Sequence, residues 1–127
     1  MKIEHVALWT KDLEKTKAFY VKYFDGKSND KYVNEKKSFS SYFISFSDGA
    51  RLELMHNPGV EIMQEKEYPL GWTHLAFSVG SREKVDELTE QLRQDGYTIY
   101  SDPRETGDGY YESGIIDMDG NKIEITE

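Results

Sequence analysis

Four side chains in this 127-residue sequence combine the types and spacing that metal chemistry needs: His5, Glu53, His74 and Glu124. Two imidazoles and two carboxylates form a nitrogen/oxygen donor set that suits Zn, Ni, Co, Mn or Fe. Each stands in a strand-like stretch with apolar residues at alternate positions: Val6 and Leu8, Leu52 and Leu54, Leu75 and Phe77, Ile123 and Ile125. Side chains alternate faces along a strand, so the four polar residues point away from the aliphatic face. Taken alone, each reads as a hydrogen-bonded or solvated strand position. Internal duplication gives them a second reading.

Ser47–Leu54 (SDGARLEL) and Met118–Ile125 (MDGNKIEI) share Asp-Gly, a basic residue, an aliphatic, Glu and an aliphatic, 71 residues apart. HVALWTKD from His5 and HLAFSVGS from His74 match at an offset of 69, and Gly26 and Gly96 at 70. Three landmarks in register indicate two copies of one unit. Packing the copies as a pseudo-twofold pair brings two His and two Glu together. Two carboxylates buried together repel each other, and a divalent cation removes that cost. His56 has no counterpart in the repeat and reads as a residue of the His56-Asn57-Pro58-Gly59 turn.

The elements that must hold these residues follow from periodicity. Ile3–Trp9 is expected to be a strand, Thr10 and Asp12 offer helix-start chemistry, and Leu13, Thr16, Tyr20 and Tyr23 recur at helical spacing up to a stop at Gly26. Tyr42–Phe46 and Ala50–Met55 read as strands joined at Ser47-Asp48-Gly49, with an edge strand near Asp30–Val33. The second copy repeats the order: strand Thr73–Val79, a helix capped by Ser81 with Val85, Leu88 and Leu92 on one face, a stop at Gly96, then strands Tyr97–Tyr100, Tyr110–Met118 and Asn121–Thr126. Each half is βαβββ. We expect a single domain spanning 1–127: module one at about 1–56, a linker at about 57–71 and module two at about 72–127. A half of this size is marginal alone, so the two are expected to share a core.

Composition narrows the chemistry. There is no cysteine, which excludes disulfides, thiolate ligands, a cysteine nucleophile and iron–sulfur clusters. A net charge of −8 disfavours nucleic acid as a partner. No run of apolar residues is long enough to span a membrane, and the N-terminus lacks the pattern of a signal peptide. The expected location is cytoplasmic. The charge runs Lys11–Lys17 and Glu83–Glu90 read as solvated helix faces.

The segments KIEHVALWTKDLEKTKAFYVKYF, DGARLELM, GWTHLAFSV and TGDGYYESGIIDMDGNKIEI resemble the vicinal oxygen chelate superfamily, the glyoxalase/bleomycin resistance/extradiol dioxygenase family, over essentially the whole chain. The resemblance implies an α+β fold: two tandem βαβββ modules forming an eight-stranded, incompletely closed mixed barrel with two packing helices. It places the family's ligand positions on His5, Glu53, His74 and Glu124, the four-ligand pattern of metal-dependent glyoxalase I, with one divalent metal ion as cofactor. It further implies Glu124 as general base, Glu53 as its pseudo-symmetric partner, a small-molecule substrate and a homodimer. Where many bacterial relatives have an Arg that helps hold glutathione, this chain has Trp9. The chemistry implied is metal-assisted proton transfer beside a carbonyl, on a small α-oxo or thiol-adduct substrate. Two other readings remain: an extradiol-type dioxygenase, which has no ligand corresponding to Glu53, and a non-catalytic small-molecule binding protein, which lacks the ligand set. Trp9, Met55 and Trp72 are candidate pocket walls or plain core residues. Arg104 and Tyr110 flank Gly107-Asp108-Gly109, an ordinary turn or a loop that bends over a ligand, and Arg104 could pair a substrate anion.

Overall fold

The computed structural model describes residues 1–61 and 71–127. The chain divides into two compact units, Met1–Met63 and Gln64–Glu127. The linker expected over 57–71 falls largely on residues 62–70, outside the described residues.

In the first unit, β1 (His5–Trp9) leads into α1 (Leu13–Tyr23), followed by β2 (Lys27–Ser28), β3 (Tyr32–Asn34), β4 (Phe39–Ser45) and β5 (Arg51–His56). Asp12 starts α1, its carboxylate accepting from the Lys15 amide at 3.1 Å. The helix turns Leu13, Thr16, Phe19, Tyr20 and Tyr23 inward, where the sheet offers buried Tyr42, Ile44, Leu52 and Leu54. Burying each large side chain in such a layer contributes about 1.5–3 kcal/mol. The sheet order is β1-β5-β4-β2, with β3 also on β4, and β1 runs parallel to β5.

The helix stop differs from the expected one. Asp25, with φ of 53°, takes the left-handed position after α1. Gly26 is needed for another reason: a Cβ there would lie 2.5 Å from Ile44 Cγ2 and 2.9 Å from the Tyr20 carbonyl oxygen. His56 also departs from expectation. It closes β5 instead of sitting in a turn, and its Nδ1 lies 2.9 Å from the Thr10 carbonyl.

The second unit runs β6 (Leu75–Ser78), α2 (Arg82–Gln94), β7 (Thr98–Glu105), β8 (Tyr111–Ile116) and β9 (Lys122–Thr126). Ser81 caps α2 through the Lys84 amide, and Gly96 turns the chain at φ of 89°. Val85, Thr89 and Leu92 face buried Ser113, Ile115, Ile123 and Ile125. The sheet order is β6-β9-β8-β7, with β6 parallel to β9. The described residues thus form nine strands, one more than expected, because β2 and β3 pair separately with β4. Strand β7 runs five residues past the expected Tyr100, through two register shifts against β8. No helix among the described residues is long and apolar enough to cross a membrane.

Candidate functional site

Both units solve the same positioning problem in the same way. The first and last strands of each copy are parallel neighbours, and the register places Ala7 beside Glu53 and Ala76 beside Glu124. Each histidine lies two residues before that alanine, hence on the same sheet face as the glutamate. The neighbours Leu52, Leu54, Ile123 and Ile125 are buried on the opposite face, under the helices. Helix packing on one face therefore fixes the polar pair on the other.

The resulting distances are short. His5 Nε2 lies 3.8 Å from Glu53 Oε2, and His74 Nε2 lies 3.0 Å from Glu124 Oε2. The glutamate side chains are only 16% and 21% exposed, whereas the imidazoles are 41% and 36% exposed. Each pair is a half-buried carboxylate under an accessible ring nitrogen. Each supplies two donors, and among the described residues no three or more His, Asp or Glu side chains come together as a metal-holding group.

The first pair has supporting residues that the sequence pattern did not mark. Glu4 Oε2 lies 2.5 Å from His5 Nδ1, and the same carboxylate pairs with Arg51. The hydrogen bond from His5, then that from Arg51, holds the Glu4 carboxyl below its usual range. A carboxylate at Nδ1 favours the tautomer that carries the proton on that nitrogen. The Arg51 guanidinium also lies 4.2 Å from the Phe43 ring centroid, and Phe43 meets the His5 ring edge-on at 5.4 Å. The adjacency of Glu4 and His5 and the Arg51–His5 register were the available signals. Glu4 precedes the strand, so alternation does not place it.

The suggested pocket residues separate. Trp9 shares the face of His5, is 50% exposed and meets Phe39 edge-on at 6.1 Å. Met55 pairs across β5 and β4 with Ser41, on the face of Glu53. Trp72 precedes β6 and is exposed, so it is not a core residue of this unit. Arg104 lies near the end of β7, just before the glycine-flanked loop. It donates to Ser101 Oγ at 2.6 Å and lies 3.6 Å from Glu112 Oε1. Its charge is therefore already shared with a carboxylate. Tyr110 ends a turn whose Thr106 side chain and backbone brace it, just before β8.

Comparison with known proteins agrees with this architecture. Residues 2–125 match the family model of the Glyoxalase/Bleomycin resistance protein/Dioxygenase superfamily. The chain is 32% identical to the lactoylglutathione lyase of Salmonella typhimurium, over all of this chain and 93% of that one. It is 31% identical to the protein YqjT of Bacillus subtilis, over 97% of this chain and 96% of that one. The structure of a glyoxalase family protein from Enterococcus faecalis superposes with a TM-score of 0.81 at 24% identity, covering 99% of this chain and 97% of that chain. The chain belongs to the glyoxalase/bleomycin resistance protein/dioxygenase superfamily.

Proposed function

We propose that this protein is a glyoxalase I-like enzyme: a divalent-metal-dependent lyase or isomerase acting on a small α-oxo compound or its thiol adduct. The observation that carries the reading is the duplicated His–Glu pair, His5 with Glu53 and His74 with Glu124, each on the sheet face away from its helix. The similarity to lactoylglutathione lyases over the full chain supports it.

The donor chemistry fits a divalent ion. Neutral imidazole nitrogens and carboxylate oxygens are ligands for Zn, Ni, Co, Mn and Fe, and a single pair is too few for a stable site. In this reading all four side chains serve one cation. A bound divalent cation supplies Lewis acidity toward a carbonyl oxygen, which acidifies the adjacent C–H enough for a carboxylate to act as its base. In this reading Glu124 is the base that would take that proton and return it to the neighbouring carbon, with Glu53 as its pseudo-symmetric partner. Glu4 keeps His5 in the tautomer that leaves Nε2 free. Trp9, four residues along β1 from His5, and Phe39 of β4 set an apolar wall in this reading. The assembly is a cytoplasmic homodimer in this reading.

The test is metal analysis of protein purified without chelator, followed by turnover of the methylglyoxal–glutathione hemithioacetal. Stoichiometric metal and isomerisation, both lost in Glu124→Gln, support the proposal. Metal retention with undiminished isomerisation by Glu124→Gln rejects the base assignment. Catechol cleavage with Fe(II) and no isomerisation would move the protein to the oxygenases, and absence of metal under every loading condition would leave a binding protein.

A further inference from the structure

Strand β7 carries a residue on the Glu124 side of the sheet that period-two alternation did not single out. Ile99 pairs with Ile115 and Ser101 with Gly114, so Tyr100 is an extra residue with no partner of its own on β8. A bulge of this kind re-aims the side chain it displaces. Here it lays the phenol end over Gly114: a Cβ at that position would lie 2.3 Å from Tyr100 Cζ and 2.6 Å from its hydroxyl oxygen. Only glycine leaves room for the ring. Gly114 is in turn the β8 partner of Glu124. Bulge and glycine together set a phenolic hydroxyl beside the strand position of the candidate base.

The surroundings fit a working hydroxyl better than a packing residue. Tyr100 is 41% exposed, so the ring is not placed there to fill a core. Among the described residues none hydrogen-bonds its hydroxyl, whereas the phenols of Tyr42 and Tyr111 are tied to Glu14 and Asp86. Lys122 Nζ lies 5.5 Å from the ring centroid. The Arg104–Glu112 pair and Ser101 occupy the same end of β7 and β8.

We propose that Tyr100 is a substrate-binding residue, donating its phenolic hydrogen bond to a carbonyl, enol or hydroxyl oxygen held beside Glu124. This rests on the reading of His74 and Glu124 as part of the catalytic site. Burial, then the charges of Glu124 and Glu112, push the phenol's pKa up, with Arg104 opposing them. The group is accordingly a protonated donor at neutral pH.

The experiment compares the full chain and its Tyr100→Phe variant. Each is titrated first with Co²⁺ and then, when loaded, with acetohydroxamate, a small ligand presenting two adjacent oxygens. The proposal expects Co²⁺ affinity within twofold of wild type and acetohydroxamate affinity weakened roughly tenfold, the factor that one lost hydrogen bond carries. Gly114→Ala, which evicts the ring while keeping the tyrosine, is expected to show the same loss. Equal acetohydroxamate affinity in wild type and Tyr100→Phe overturns the assignment and leaves the metal reading intact. A parallel loss of Co²⁺ affinity overturns it too, by showing a structural role. A wild-type chain that takes up no Co²⁺ overturns the metal reading, and the assignment with it.

Discussion

Under the proposed function, metal-linked stability should separate the three histidines. His5 and His74 each stand beside a glutamate on a sheet face, while His56 Nδ1 lies 2.9 Å from the Thr10 carbonyl. A ligand present at a hundred times its dissociation constant stabilises the folded state by about 2.7 kcal/mol. At about 2.1 cal/mol/K per residue, 127 residues unfolding together have an entropy near 0.27 kcal/mol/K. The expected rise in Tm on adding Zn²⁺ or Ni²⁺ to stripped protein is therefore about 10 °C. Losing one ligand weakens binding by about a hundredfold or more; at the same metal concentration the remaining stabilisation is about 0.4 kcal/mol, a shift of 1–2 °C. His5→Gln and His74→Gln should both behave this way. His56→Gln should do the reverse. It loses a hydrogen bond worth about 1 kcal/mol, so its metal-free Tm falls by about 4 °C, yet it keeps the full metal-linked rise. Differential scanning calorimetry with and without metal reads both quantities. A full metal-linked rise in His5→Gln or His74→Gln would refute the ligand assignment, and a lost rise in His56→Gln would show that the third imidazole had been misplaced.

Three further outcomes follow from the packing. Gly26→Ala forces a methyl against Ile44 Cγ2 and the Tyr20 carbonyl, and should cost about 1–3 kcal/mol in urea unfolding; a change below about 0.5 kcal/mol contradicts the close approach. Thr89 donates to the Val85 carbonyl, so Ser113 must donate to Thr89 Oγ1 at 2.6 Å. Thr89→Val strands a buried serine hydroxyl at about 1–3 kcal/mol, and adding Ser113→Ala should recover part of that loss; strictly additive costs in the double mutant would exclude the coupling. Lys31, then Lys17, hold the Glu14 carboxyl down to about 2 from an ordinary 4.5. A depressed carboxylate contributes stability that is present above 4.5 and lost as pH falls toward 2, so Glu14→Gln should flatten acid unfolding in that window. Because the side chain is more than half exposed, the effect should stay below about 1 kcal/mol, and an unchanged acid profile would count against the ion pairs.

The two-copy plan, both helices and the two His–Glu pairs were legible because two periodicities carried them. Alternation assigned His5, Glu53, His74 and Glu124 to the faces opposite their helices, and the offset of about seventy residues tied the pairs together. What escaped lies where periodicity breaks. Tyr100 sits at a bulge, and its direction depends on a missing Cβ across the ladder at Gly114. Glu4 reaches His5 because it lies before β1, where alternation does not bind it. Trp72 lies three residues before the start of β6, where pairing with β9 no longer fixes the direction of a side chain. Gly26 had the composition of a helix stop, but its neighbour Asp25 takes the left-handed turn and the glycine serves the contact with Ile44.

The two copies keep one feature and diverge in the rest. In each, the helix-covered aliphatic face and the parallel pairing of first and last strands hold a His–Glu pair, because that geometry follows from sheet register alone. The residues sharing that sheet face are free to change, since they do not pack under the helix. In the first unit they are aromatic: Trp9, Phe39 and Phe43 form edge-on contacts with one another or with His5. In the second they are polar: Tyr100, Arg104, Glu112 and Ser101. The geometry of the His–Glu pairs and the character of their surroundings are thus set by different parts of the sequence. If the proposed function holds, substitutions among the surrounding residues should change which molecule binds while leaving metal affinity in place, and substitutions in the aliphatic face should disturb both, because they move the strands that carry the pairs.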